Sequence, residues 1–314
     1  MPWRCGGMKD KVEKDKVEDV SNWEEYIKNI GNVGFQSTNI GVGANILTKM
    51  WEGETTNYLA FTGNIVASGM RGLLARLVKE KKFNIVITTA GAVDHDIIKS
   101  ISHYEMSSFT TNDVEMHREG INRIGNIGVP NDRYVMLEEV CKEVYGSVEK
   151  TSPSELTHLF GKWIGENRGE EEKERSFLYW AYKNDVPVFV PGISDGAIGL
   201  QMFFHKQQNK EFSVDITGDM AKLASLTLNA EKTGALILGG GISKHHTIGV
   251  NIARGGLDYA VYVSTATEFD GSLSGARSNE AISWGKIREE AKHVDIYGEV
   301  TTVLPLLLKK AHAI

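Results

Sequence analysis

The sequence predicts an α/β fold, a Rossmann-like parallel sheet flanked by helices, on three observations. Short runs such as Ile85-Val-Ile-Thr-Thr89 are β-branched and apolar on both faces, as strands covered on both sides must be. Longer stretches with helical spacing of apolar residues separate these runs, the pattern of crossovers between parallel strands. The runs end in small or polar residues, where such a sheet turns into its helices. With 314 residues and 41% hydrophobic content the chain supports a sizeable core. No internal repeat, low-complexity tract or flexible linker divides it, so one large domain is expected from residue 21 to 314.

Taken in order, residues 1–20 are rich in Lys, Glu and Asp with almost no large apolar side chain after Trp3. They read as a loosely ordered N-terminal extension, within which Met8 is an alternative start. Trp23 to Ile30 has the spacing of a short amphipathic helix, with Trp23, Tyr26, Ile27 and Ile30 on one side. Tyr58 to Phe61 is a strand, and Ile65 to Val78 a helix with Ile65, Met70, Leu73, Leu74, Leu77 and Val78 apolar. Ile85 to Thr89 is a buried strand, followed by a helix through Ile97, Ile98 and Ile101. Ser102 to Glu174 is more polar and reads as irregular structure and helices packed on one edge. Val186 to Val190, Ala235 to Leu238 and Tyr259 to Val263 continue the series of strands.

Composition narrows the function. A formal net charge of −6 and a pI near 5.9 argue against a phosphate-backbone binder, which carries a basic surface, and suit a cationic ligand better. Two cysteines, Cys5 and Cys141, have neither disulfide-framework nor zinc spacing. No apolar run approaches the ~18 residues of a membrane span, and Met1 to Lys16 is charged rather than signal-like. A soluble, cytoplasmic protein that binds neither nucleic acid nor membrane is expected.

In a parallel sheet, ligands bind beyond the carboxyl ends of the strands. Thr62-Gly-Asn64, Thr88-Thr-Ala-Gly91, Asp195-Gly196 and Gly239-Gly-Gly241 all fall there. Glycine lets the backbone approach a phosphate or ribose, and a helix start behind it offers N–H groups and a positive dipole end. The strict G-x-G-x-x-G fingerprint is absent, and a triple glycine after a strand is as often a tight turn. In Lys244-His245-His246, adjacent histidines point apart and no third ligand is in view, so no metal is expected. The densest chemistry lies from Glu268 to Lys286, where Asp270 and Gly271 occupy a turn-rich loop and Glu280, Trp284 and Lys286 follow. A carboxylate, an aromatic face and an amine come close together there; an arbitrary sequence of this kind is more often a solvated acidic loop.

This stretch resembles the deoxyhypusine synthase family, its archaeal branch in particular. The resemblance extends to Gly34-Phe-Gln-Ser-Thr-Asn-Ile-Gly41, Thr88-Thr-Ala-Gly91, Ile121-Asn-Arg-Ile-Gly-Asn126, Asp195-Gly196, and Gly239-Gly-Gly241 with Lys244-His-His246, from about Asp19 almost to the end. It implies NAD as cofactor, spermidine as amine donor, and the translation initiation factor 5A precursor as protein substrate, in a homotetramer. By the same resemblance Lys286 is the nucleophile and His245 handles protons at the bond oxidised. Glu280, Trp284, Asp270, Gly271, Ser272, Ser274 and Asp94 would bind the polyamine. Asn64, Thr89, Ala90, Gly91, Asp195, Gly240, Thr265, Ala266 and Glu299 would bind NAD.

The residue types suit that chemistry. An amine displaces another amine only from an imine, so a hydride acceptor and a nucleophilic amine are both needed. An ordinary lysine is protonated at pH 7, so a nucleophilic one needs desolvation or neighbouring cations. Trp284 offers a dry cation–π wall, and Glu280 and Asp270 offer partners for ammonium groups. Four positions depart from the family pattern. Leu200 and Leu273 stand where eukaryotic members carry aspartates, His95 replaces an acidic residue, and Gly249 replaces an amide. Two rival readings share the fold: an NAD-dependent synthase of a free polyamine of the homospermidine type, and a non-catalytic NAD or polyamine binder. The retained Lys286 disfavours the binder.

Overall fold

The computed structural model describes residues 22–312; the extension expected over 1–20 lies outside them. The chain begins with helices α1 (Trp23–Asn29) and α2 (Phe35–Glu52), then enters the main sheet as β1 (Thr55–Phe61). It continues through α3 (Gly63–Ala67), α4 (Arg71–Lys79), β2 (Ile85–Ile87) and α5 (Ala90–Ile101). The middle third comprises β3 (Glu105–Met106), α6 (Asp113–Arg118), β4 (Ile121–Ile124), β5 (Ile127–Pro130) and α7 (Asp132–Gly146). After it come β6 (Lys150–Thr151), α8 (Pro153–Asn167), α9 (Glu170–Glu174), α10 (Phe177–Asn184) and β7 (Val188–Phe189). The last part runs α11 (Ala197–Gln208), β8 (Ser213–Val214), α12 (Ile216–Leu228), β9 (Lys232–Leu238) and α13 (Gly241–Val250). It ends with β10 (Leu257–Ser264), α14 (Ser278–Ser283), β11 (Ile287–Tyr297) and α15 (Val300–Lys310).

Six strands form one sheet in the order β11-β10-β9-β1-β2-β7, and every neighbouring pair is parallel. The predicted parallel sheet with helices on both faces is therefore present. From the β7 edge the strands follow the chain order 3-2-1-4-5-6, so the winding reverses between β1 and β9, the crevice where doubly wound sheets hold ligands. Alternation along each strand feeds two cores. Leu59 and Phe61 of β1 pack with α2, α4 and α15 on one face, whereas Tyr58 and Ala60 face the other with residues of α13 and α14. Burying a side chain such as Leu59 is worth about 1.5–3 kcal/mol, so these strands are held by packing on both sides.

Three expectations need correction. Ile65 to Val78 is not one helix: Ser68-Gly69 breaks it into α3 and α4. Ser68 turns its hydroxyl back onto the Ile65 carbonyl, and the Lys99 ammonium takes the freed carbonyls of Val66, Ala67 and Ser68 at 3.1, 2.9 and 2.6 Å. The polar region from Ser102 to Glu174 contains an antiparallel sheet, β3-β5-β4, that was read as irregular. Its hairpin pairs Ile124 with Ile127 across the two-residue turn Gly125-Asn126. Two predicted strands are also shorter, Val188–Phe189 and Ile85–Ile87, because the flanking residues serve the turns; the Thr88 hydroxyl, for one, bonds the Phe61 carbonyl at 2.8 Å. No helix among the described residues is long and apolar enough to cross a membrane.

Candidate functional site

The expected loops lie side by side at the carboxyl edge of the sheet, after β1, β2, β9 and β10. The loop after β1 is joined to that after β2 by the Gly63 N–H, which donates to Thr89 Oγ1 at 3.0 Å. Asn64 is exposed and accepts the Thr62 hydroxyl. Gly91 is half-buried; Asp195 and Thr265 are exposed, and the Ala266 N–H donates to Ser264 Oγ at 3.1 Å. Glu299 sits after β11 and caps α15, its carboxylate accepting from the N–H groups of Thr301 and Thr302. Ala90 is buried inward against Gly196.

Asp94, expected to bind the polyamine, and His95, one of the departures from the family pattern, both lie in the structural interior. Asp94, 4% exposed, accepts from the N–H groups of Ala197 and Ile198 at 2.9 Å each, so it caps α11 and holds the loop after β7 onto α5. Burial pushes its pKa up to about 6 against the pull of those bonds. His95, also buried, shares a 2.7 Å hydrogen bond between Nδ1 and the Tyr104 hydroxyl, and burial, with Lys99 adding to it, pulls its pKa down to about 4. A histidine depressed on folding contributes stability that is full above its ordinary value of 6.5 and is lost as pH falls through 4. Unfolding free energies from urea titrations should therefore fall more steeply in the wild type than in His95→Leu between pH 6.5 and 4, by up to about 1.4 kcal/mol per pH unit. Parallel slopes would refute the assignment.

The second half of the site is a groove on the sheet face between α13 and α14. A cavity of about 300 Å³ is lined there by Lys286, Trp284, Glu280, His245, Lys244 and Tyr262, with Gly271 and Leu273 at its loop wall. Lys286 does not sit at the carboxyl edge, where the other candidates fall. Its backbone opens β11 at the amino end of the sheet, with its carbonyl accepting from the Leu257 N–H at 3.0 Å. The local sequence dictates this. Helix α14 ends at Ser283, Gly285 takes φ +65°, and the N–H groups of Gly285 and Lys286 return to the carbonyls of Ile282 and Ala281 at 2.9 Å each. This is the paired 5→2 and 6→1 closure of a helix end, which wants glycine at the left-handed position. It reverses the chain so that Lys286, 8% exposed, carries its ammonium 5.1 Å from the centre of the Trp284 ring. Trp284 itself is 65% exposed and forms the rim.

Asp270, Ser272 and Ser274 are not in this cavity's lining but build its loop. Asp270 closes a turn by accepting from the Ser272 N–H at 2.7 Å, and Ser274 Oγ accepts from the Gly241 N–H at 3.0 Å, locking the loop onto the start of α13. Glu280 and His245 are exposed at the mouth.

Sequence reasoning quoted Lys244 only as part of the Lys244-His-His246 motif and gave no site role to Tyr262 or Asp295. Lys244 is 2% exposed and donates to the carbonyls of Ala276 at 2.6 Å and Ser274 at 3.4 Å, 4.6 Å above the Tyr262 ring. Burial pulls its pKa down to about 8, against the opposing charges of Asp295 and Glu280. Asp295 accepts from the N–H and hydroxyl of Ser278 and so fixes the start of α14. Alternation along β10 and β11 was the available signal, since Tyr262 and Asp295 are register partners.

Comparison with known proteins gives one consistent neighbourhood. The deoxyhypusine synthase family profile matches residues 25–311. A relative from Pyrococcus furiosus, named probable deoxyhypusine synthase, is 41% identical over 95% of this chain and 93% of its own length. One of the same name from Thermococcus kodakarensis is 42% identical with the same coverage. A solved structure from Entamoeba histolytica, of a protein assigned as a deoxyhypusine synthase, superposes with a TM-score of 0.68 at 23% identity, covering 94% of this chain and 96% of the other. That last likeness concerns the fold alone.

Proposed function

The chain belongs to the deoxyhypusine synthase family, and from that membership we propose that it transfers the aminobutyl group of spermidine to a lysine of the translation initiation factor 5A precursor, with NAD as cofactor. The observation that carries this reading is the enclosure of the Lys286 amine in one cavity with Trp284, Glu280 and His245.

The carboxyl edge suits a dinucleotide. Gly240 lies at the winding reversal, and a Cβ there would stand 2.7 Å from Ser274, so the missing side chain is what lets the Ser274 loop close onto this edge of the sheet. Residues Asn64, Thr89, Asp195, Gly240, Thr265 and Ala266 would hold the cofactor across β1, β2, β7, β9 and β10. Bound NAD would supply the hydride acceptor that makes the amine carbon electrophilic, and the hydride returned at the end.

The chain's own residues account for the rest. Trp284 and Glu280 hold the polyamine cation at the mouth through a ring face and a carboxylate. His245, exposed at the same mouth, moves the proton between attacking and leaving nitrogens. The Lys286 nitrogen bonds the imine carbon, the carbon–nitrogen bond to diaminopropane breaks, and the aminobutyl group remains on Lys286 as an imine. An acceptor lysine displaces Lys286 in the same way. Incubation with labelled spermidine, NAD and the factor 5A precursor, followed by mass spectrometry, tests the reading: label on a precursor lysine is expected, and label only in a free polyamine would favour the homospermidine-type alternative.

The departures sharpen the expected specificity. Leu273 lines the cavity, whereas Leu200 is 53% exposed on α11 and outside the cavity lining. Leu273 therefore removes a carboxylate from the amine's path, so spermidine should remain a substrate but bind more weakly or less selectively than in eukaryotic members, with homospermidine, agmatine and putrescine competing. Restoring the acid in Leu273→Asp should raise kcat/KM for spermidine about tenfold over the others, the worth of one partly desolvated charge pair. Unchanged ratios across the four amines would remove Leu273 from amine selection.

A further inference from the structure

Ser278, 1% exposed, opens the six-residue helix α14, and Arg277 before it supplies no capping side chain. The acceptor comes from the neighbouring strand instead. On β11 the half-buried Asp295 carboxylate accepts the Ser278 N–H at 3.1 and 3.2 Å, and the Ser278 hydroxyl as well. His293, two residues earlier on the same face of the strand, places Nδ1 2.8 Å from that hydroxyl oxygen. The hydroxyl has one proton and gives it to the carboxylate, so His293 is the donor, through Nδ1–H. These three residue types make the nucleophilic triad of many hydrolases, but here the serine is buried and its proton goes to the carboxylate rather than to the histidine. The chain of bonds holds rather than reacts.

What it holds is the segment that carries the amine. From Ser278 the chain runs along α14 past Glu280, reverses at Gly285, places Lys286 in the cavity and starts β11. That start is out of step with the sheet: between the pairs Leu257–Ile287 and Tyr259–Lys292, two steps along β10 match five along β11. The bulge separates Lys286 from the regular ladder, and the Lys286 N–H is bonded to Ala281 of α14. The placement of the amine therefore follows the placement of α14. Among the described residues, the side-chain hydrogen bonds that join α14 to β11 all converge on Ser278.

We propose that Asp295 is a positioning residue for the reaction, which through Ser278, and with the support of His293, fixes the angle at which α14 presents Lys286 to the amine donor. This rests on the reading of Lys286 as nucleophile. Trp284 and Glu280 are exposed at the mouth and can follow a flexible polyamine when α14 shifts, whereas the enclosed Lys286 amine loses its line of attack. Loosening the anchor therefore lowers kcat more than it raises KM.

The experiment compares the wild type with Asp295→Asn, His293→Leu and His293→Asn. Asparagine at 295 keeps the shape but turns a donor toward Ser278, which leaves one Ser278 proton without an acceptor. Asparagine at 293 keeps an N–H near the place of Nδ1, and leucine does not. In each protein the Lys286 adduct formed from NAD and increasing spermidine is trapped with borohydride and timed by mass spectrometry. NADH affinity is measured by fluorescence, unfolding by circular dichroism, and amide hydrogen exchange over the peptide from Ser278 to Lys286 in the ligand-free protein. Asp295→Asn is expected to form adduct about tenfold more slowly at saturating spermidine, with the half-saturating concentration and NADH affinity within about threefold of wild type and exchange over that peptide about tenfold faster. His293→Leu should show the same changes in smaller measure, and His293→Asn should recover the wild-type rate. An unchanged adduct rate in Asp295→Asn overturns the proposal, as does a lowered unfolding temperature with NADH binding lost in parallel, which would make the anchor a general support of the fold. A wild type that forms no adduct at Lys286 overturns the nucleophile assignment and the proposal with it, a result distinguishable from either.

Discussion

Lys286→Arg is expected to abolish aminobutyl transfer while leaving the fold and the affinities for NAD and spermidine close to wild type. The substitution keeps length and positive charge, and with them the cation beside Trp284. What it removes is a nitrogen that can lose its proton and form an imine, because guanidinium stays protonated throughout the working pH range. With chemistry blocked and binding retained, the loss should appear entirely in kcat. Borohydride trapping with spermidine and NAD should add an aminobutyl mass to the wild-type peptide containing Lys286 and to no peptide of the variant. The competing amine is Lys244: it lines the same cavity, and its pKa is lowered to about 8. An adduct on Lys244 in either protein would overturn the assignment of the nucleophile.

Much of this site was legible because the residues that make it also obey local rules. Glycine one residue before Lys286 and a short helix before that dictate the chain reversal that buries the amine, and both are written in Ser283-Trp-Gly-Lys286. The strands that were read correctly are those covered on both faces, where β-branched runs are unmistakable. Edge strand β11 was missed for the opposite reason. Its burial alternates with long exposed stretches, so Arg288, Glu289 and Glu290 carry no apolar strand signal although they are sheet. The hairpin at Ile121 to Pro130 had a signal in its Gly125-Asn126 turn, which was outweighed by the polarity of its surroundings.

Other features were not legible in one dimension. That Asp94 caps a helix more than a hundred residues later, and that Lys244 spans to the carbonyls of Ser274 and Ala276, follow from the sheet order rather than from local pattern. The same holds for the position of Lys286 at the amino end of the sheet. A loop that leaves β10 at the carboxyl edge must travel back along the face through α14 before β11 can start parallel to it, and only the parallel pairing of those two strands reveals this.

The second large effect is expected from a single methyl group on that returning loop. At Gly275 a Cβ would lie 1.6 Å from the Thr267 carbonyl oxygen and 2.4 Å from its carbon, both backbone atoms that no rotamer change can move. Gly275→Ala therefore forces the segment from Thr267 to Ala276 apart. Ser274 then loses the Gly241 N–H, and the carbonyls of Ser274 and Ala276 leave the Lys244 ammonium. The cavity wall at Gly271 and Leu273 opens on the side facing Lys286. Neither hydrophobic core includes Gly275, so the sheet and its helices should persist, with a melting temperature lowered by a few degrees, the scale of about 1 kcal/mol in a protein of this size. Transfer should fall much further, by about a hundredfold or more, because ångström-scale displacement of groups around a reacting centre costs that much. Circular dichroism melts and the borohydride adduct assay on the same preparation separate the two quantities. Near-normal adduct formation would show that the loop relaxes without disturbing the amine, and a collapse in melting temperature would show that it supports the fold rather than the site.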